Sequence, residues 1–221
     1  MDLHTFHPEE VAMDLLSRGG VFMIPIMLFS IVAVTVFLER LWMLRKSKVL
    51  PYEKLQEVEV LIHRQQFTEA GAVCQQNKSP LAQIVLAGLQ YRAASRRVIQ
   101  EKMEGKGKAS AIELRKGIGL LQTIASVSPL LGLLGTVGGM IKVFDAISME
   151  GVGNPGSLAT GIAEALITTA AGLCVAIPTF LGQRYLSNRS EKFIYGLEDY
   201  AGHLLDLITG DLPGESEEEE V

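Results

Sequence analysis

The sequence predicts an all-α integral membrane protein with three transmembrane helices, the second and third extended into a cytoplasmic helical domain. Three observations predict it. Charged residues are only 20% of the 221-residue chain, and its mean hydropathy is +0.26, high for a chain that must keep a wetted surface. Charges are absent from 19–38 (20 residues) and 117–141 (25 residues), and 151–183 (33 residues) holds Glu164 alone. Each run exceeds or meets the ~20 residues a helix needs to cross ~30 Å of hydrocarbon. Lys and Arg, finally, gather at alternate ends of these runs, as membrane topology requires. The same composition, with a net charge of -5, argues against intrinsic disorder and against a basic nucleic-acid binder. Cys74 and Cys174 have no CxxC or Cys/His spacing, so neither a disulfide framework nor a structural zinc site is expected.

Residues 1–18 read as a periplasmic segment, with acidic Glu9, Glu10 and Asp14 before the first span. The span itself, 19–43, ends in Glu39, Arg40 and Trp42, followed by Arg45, Lys46 and Lys48. That ending is a stop-transfer and interface anchor rather than a cleavage site, so the helix is read as retained.

Residues 44–117 read as a cytoplasmic helical region. Leu55, Val58, Leu61 and Ile62 recur at helical spacing, and Pro80 opens a second stripe through Leu81, Ile84, Val85 and Leu89. Gly105 and Gly107 suggest a turn, with a further helix from about Ser110 running into the second span at 118–144. A periplasmic loop at 145–157 follows, then the third span at 158–183. Phe193, Leu197, Tyr200, Leu204 and Ile208 make a stripe along a cytoplasmic C-terminal helix, 184–212, and 213–221 is an acidic tail read as disordered. Arg40, Arg45, Arg115, Lys116, Arg184, Arg189 and Lys192 place the N-terminus in the periplasm and the C-terminus in the cytoplasm.

No nucleophile–base pair or metal-ligand spacing suggests an enzyme or a metal site, and no cofactor is implied. His4, His7, His63 and His203 are scattered and read as surface residues. The glycines of the second span are not a phosphate loop, because no Gly-Lys-Ser/Thr and no preceding strand accompany them. In a membrane, small residues let helix backbones approach closely. Gly132, Gly135 and Gly139 on one helix, with Gly161, Ala165 and Gly172 on the next, therefore read as a packing seam.

Glu164 carries the functional expectation. With the third helix starting near Ser157, it lies about 10 Å along the axis at 1.5 Å per residue. A charge held within a bilayer costs ~2.5 kcal/mol or more, so this carboxyl should face a cavity, a partner or water, or be protonated. Thr168 is one turn further on its face, Thr169 on the flank, and Thr136 at similar depth on the second span. A carboxyl with hydroxyls along an apolar helix pair suits a proton or cation route, although threonines also bond their own helix backbone. Lys142 is expected to snorkel to the outer interface, and Glu39 and Arg40 to the inner one.

Two segments resemble the ExbB/TolQ members of the MotA/TolQ/ExbB proton-channel family. They are Ser128-Pro-Leu-Leu-Gly-Leu-Leu-Gly-Thr-Val-Gly-Gly-Met140 and Gly161-Ile-Ala-Glu-Ala-Leu-Ile-Thr-Thr-Ala-Ala-Gly-Leu173, the latter followed by Ala176-Ile-Pro178. The Leu38-Glu-Arg-Leu-Trp42 ending of the first span fits as well. The resemblance implies a homopentamer in the bacterial inner membrane around an ExbD- or TolR-like single-span subunit, in contact with lipid. It also implies a TonB- or TolA-like periplasm-spanning protein that carries mechanical work to the outer membrane. Carried over by position, Glu164 is the family's third-span glutamate, and Thr136 and Thr169 are its pore-facing threonines. Gly138 departs from the pattern, since many relatives have Trp there. TonB-dependent uptake, Tol-Pal envelope maintenance, a gliding-type motor and a passive scaffold remain open, with the first favoured by the Leu-Glu-Arg-Leu-Trp ending.

Overall fold

A computed structural model describes residues 19–45, 49, 52–77, 79–150 and 155–210. The expected segment 1–18, the tail 213–221, Lys46, Lys48 and residues 151–154 of the expected loop lie outside the described residues. Among those described there is no strand. The helices are α1 (Met23–Met43), α2 (Tyr52–His63), α3 (Phe67–Gln76), α4 (Pro80–Gln90), α5 (Arg96–Arg115), α6 (Ile118–Glu150) and α7 (Pro155–Thr209). Three helical runs, Met23–Met43, Arg96–Met149 and Leu158–Thr209, are long and apolar enough to cross a membrane.

The chain divides into two units, Met1–Glu39 with Gly117–Arg184 and Arg40–Lys116 with Tyr185–Val221. The first turns the usual globular pattern inside out. Its large apolar side chains lie outward, among them Ile24, Leu28, Ile31, Leu130, Leu133, Leu166, Ile177 and Phe180. It buries Ile26, Leu121 and Ile124, but the seam between α6 and α7 is built mainly from small residues. Ser128, Gly132, Gly135, Gly139 and Val143 of α6, and Gly161, Ala165, Thr168, Gly172 and Ala176 of α7, are all buried. Each set recurs every three or four residues, which keeps it on one helix face.

The second unit has an ordinary apolar core. Successive helices α2 to α5 pack on their neighbours, burying Val58, Ile62, Leu81, Ile84, Val85 and Ile99 with Leu197 and Leu204 of α7. Ser79 starts α4 as its N-cap: its Oγ accepts from Ala82 N at 3.3 Å, and Pro80 fills the first turn, where a missing N–H costs nothing. Arg189 Nε donates to Leu44 O at 2.7 Å. Arg96 reaches both Asp206 at 2.5 Å and Thr209 at 2.9 Å.

Three sequence expectations change. Gly105 and Gly107 make no turn, for α5 runs through both from Arg96 to Arg115. Burial of Ile99, Met103 and Leu114 on one side of that helix outweighs the weak helix propensity of two glycines. The continuous helix into the second span is broken at Lys116–Gly117, where Lys116 is extended (ψ 139°) and Gly117 takes φ +77°. Helix also fills most of the stretch read as loop from 145 to 157, because α6 continues to Glu150 and α7 begins at Pro155. His203 is exposed, as read from the sequence, and is paired as well. Its Nε2 stands 3.0 Å from Glu59 Oε1, while Tyr200 OH donates to Glu59 Oε2 at 2.7 Å. An ionised carboxylate only accepts, so Nε2 carries the proton in that pair.

Candidate functional site

The site grows out of the α6–α7 seam. A Cβ built on Gly139 would lie 2.8 Å from both Ala165 Cβ and Gly161 O, and one on Gly172 would lie 2.6 Å from Ser128 O. One on Gly132 would meet the Thr169 backbone at 3.0 Å. Rising numbers on α7 thus face falling numbers on α6, so the two helices are antiparallel and their backbones nearly touch. Such contact is available only to residues without bulk. Thr169 Oγ1 donates across the seam to Gly132 O at 3.0 Å, adding a polar pin.

This register brings Lys142 and Glu164 together. Lys142 Nζ donates to Glu164 Oε1 at 2.6 Å and to Oε2 at 2.8 Å. The two ends differ in freedom, with 58% of the Lys142 side chain exposed against 16% for Glu164. Lys142, expected at the outer interface, forms an ion pair between adjacent helices. Burial of the carboxyl explains the outcome, since the nearest ammonium relieves a charge that lipid would not solvate. The sequence held a signal for it. Lys142 stands eight residues before the end of α6 and Glu164 nine after the start of α7, so a tight hairpin sets them level.

Residues just before α1 complete the surround. Gly20 has φ +63°, and a Cβ there would fall within the Glu164 carboxyl group. Only glycine satisfies both demands. Thr168, fully buried, places Oγ1 2.7 Å from Glu164 O and 2.9 Å from Gly19 O. Neither Gly19 nor Gly20 stood out in sequence reasoning, which treated them as the mere start of a hydrophobic run.

The three threonine hydroxyls of the expected lining lie within hydrogen-bond distance of backbone carbonyls. Thr136 Oγ1 donates to Leu133 O of its own helix at 2.6 Å. Thr168 and Thr169 also bond backbone, so these hydroxyls fasten helices around Glu164 rather than bonding its carboxyl. Gly138, the departure from the family pattern, faces Phe22, whose ring would lie 2.8 Å from a Cβ there. Of the expected interface residues, Glu39 is exposed and Trp42 is 55% exposed, while Arg40 is buried at 8%. Among the described residues no group of His, Cys, Asp and Glu could hold a metal ion.

Comparison with known proteins places these features in context. The family model for the MotA/TolQ/ExbB proton channel family matches residues 76–199. A Synechocystis biopolymer transport protein named ExbB-like 1 is 35% identical over 192 residues, covering 83% of this chain and 74% of the relative. ExbB-like 3 of the same organism is 33% identical over 166 residues, 74% of this chain and 79% of the relative. The Tol-Pal system protein TolQ of Haemophilus influenzae is 41% identical over 96 residues, 43% of this chain and 40% of that one.

Proposed function

This chain belongs to the MotA/TolQ/ExbB proton channel family, and we propose that it is the ring-forming subunit of an inner-membrane motor that turns proton motive force into mechanical work. At the coarser level it is a proton-channel subunit of ExbB/TolQ type in a multi-pass inner-membrane protein. The finer reading is a homopentamer around an ExbD/TolR-like single-span subunit. A TonB- or TolA-like protein would carry the work to the outer membrane, with TonB-dependent nutrient uptake favoured over Tol-Pal maintenance. The N-terminus would be periplasmic and the C-terminus cytoplasmic, following the basic residues at the span ends. The chain acts as a channel, not as an enzyme.

One observation carries this reading. A carboxyl is held between three apolar helical segments, fixed by Gly20 on one side and by an ammonium on the other. Intramembrane carboxyls are costly and mark ion routes. Each proton crossing 100 mV releases ~2.3 kcal/mol, so successive protonations of such a group supply useful work. The test is Glu164→Gln in proteoliposomes containing the co-purified single-span subunit, scored only where the variant assembles. Loss of potential-driven proton flux is expected, and wild-type flux in the variant removes Glu164 from the mechanism.

The Lys142–Glu164 pair itself favours a second reading, a passive scaffold in which the pair only locks α6 to α7. Wild-type flux no greater than that of empty vesicles selects the scaffold.

A further inference from the structure

We propose that Lys142 is a tethered cation on Glu164 that bars alkali-metal ions from the carboxylate and thereby makes this chain selective for the proton. The inference rests on the proton-route reading of Glu164 above and names what sets the route's ion selectivity.

The geometry carries it. A single ammonium donates to both oxygens of one carboxylate, at 2.6 and 2.8 Å. It therefore stands where a metal cation bridging those oxygens would have to stand. A hard cation also needs several oxygen ligands and a site of net negative charge. Here the pair sums to zero, and the two nearest backbone oxygens, Gly19 O and Glu164 O, are turned to the Thr168 hydroxyl. Gly20 closes another side so tightly that a Cβ would not fit, which leaves no room for a water on that side.

A proton has neither requirement. A carboxylate offers about four lone-pair sites, of which the ammonium uses two, so a proton binds without displacing the lysine first. Once bound, it removes the charge that holds Lys142. The lysine is the end free to respond, being a flexible stem with 58% of its side chain exposed. Proton arrival thus releases the side chain, and proton departure draws it back over the carboxylate before another cation enters.

The experiment uses the full chain reconstituted with its co-purified single-span subunit, recording proton flux with a pH dye and uptake of radioactive sodium under the same imposed potential. Wild-type vesicles are expected to pass protons while sodium uptake stays at the empty-vesicle level. Lys142→Met should raise sodium uptake at least threefold above that level, and Lys142→Arg, which keeps the charge, should not. Adding Glu164→Gln to Lys142→Met should return sodium uptake to background. Proton flux without sodium uptake in Lys142→Met overturns the proposal and leaves the proton-route reading intact. No proton flux in wild type sinks that reading instead, and this proposal with it. Lys142→Gln is scored in the same way if the methionine variant does not assemble, and failure of both to assemble makes Lys142 an assembly residue and overturns the proposal.

Discussion

The Gly20 backbone stands against the Glu164 carboxyl so closely that a methyl group on Gly20 would occupy the same space. Gly20 precedes α1 in a left-handed conformation, φ +63°, and Glu164 lies nine residues into α7. A turn before the first span thus positions an acidic group on the third. Backbone conformation, glycine identity and the site's geometry are one constraint.

Gly20→Ala should disturb that constraint twice, through the left-handed backbone, at about 1–2 kcal/mol, and through displacement of the carboxyl. Proton flux in proteoliposomes is expected to fall severalfold while helix content by circular dichroism is unchanged. Wild-type flux in the variant would mean that Glu164 tolerates being moved.

Gly139→Leu should force α6 away from α7, since even a Cβ would lie 2.8 Å from Ala165 Cβ and Gly161 O. Overpacking a close seam costs about 1–3 kcal/mol. Thermal unfolding in detergent should occur at lower temperature than in wild type, and an unchanged midpoint would contradict the seam.

Gly105→Ala should stabilise the protein by about 0.5–1 kcal/mol, because alanine is the better helix former. Nothing lies within 4 Å of the position a Cβ would take there. A glycine in a turn would respond in the opposite direction, so the sign of the change in unfolding midpoint decides between helix and turn.

Glu59 makes stability depend on acid. Burial pushes its carboxyl up, but hydrogen bonds from Tyr200 and His203, with the nearby charge of His203 and His63, outweigh this and hold it below the ordinary 4.5. A depressed carboxyl stabilises the fold above its unfolded value and ceases to do so as pH falls through the folded one. Glu59→Gln should therefore cost about 1 kcal/mol at pH 7 for this partly exposed group. The difference from wild type should shrink as pH falls below the ordinary 4.5 and vanish once pH is below the lowered folded value, as read from unfolding midpoints across pH. A constant difference across that range would show that the charge plays no part.

The amino-acid order alone determined the three apolar runs, the small-residue seam and the lone carboxyl at Glu164 within the third run, because each is a local pattern of charge and size. Hydropathy and helical periodicity report such patterns without knowledge of any partner. What tertiary structure decided is which residues meet. Glycine spacing reads as a contact face, yet only the antiparallel register of α6 and α7 sets Lys142 level with Glu164 and gives the carboxylate its counter-ion. Gly105 and Gly107 follow the same logic, since their weak propensity reads as a turn until the burial of Ile99, Met103 and Leu114 carries the helix through them. Tyr200 and His203 each lie more than a hundred residues from Glu59. An interaction over that distance has no local signature, because it exists only after the helices that bear it have packed.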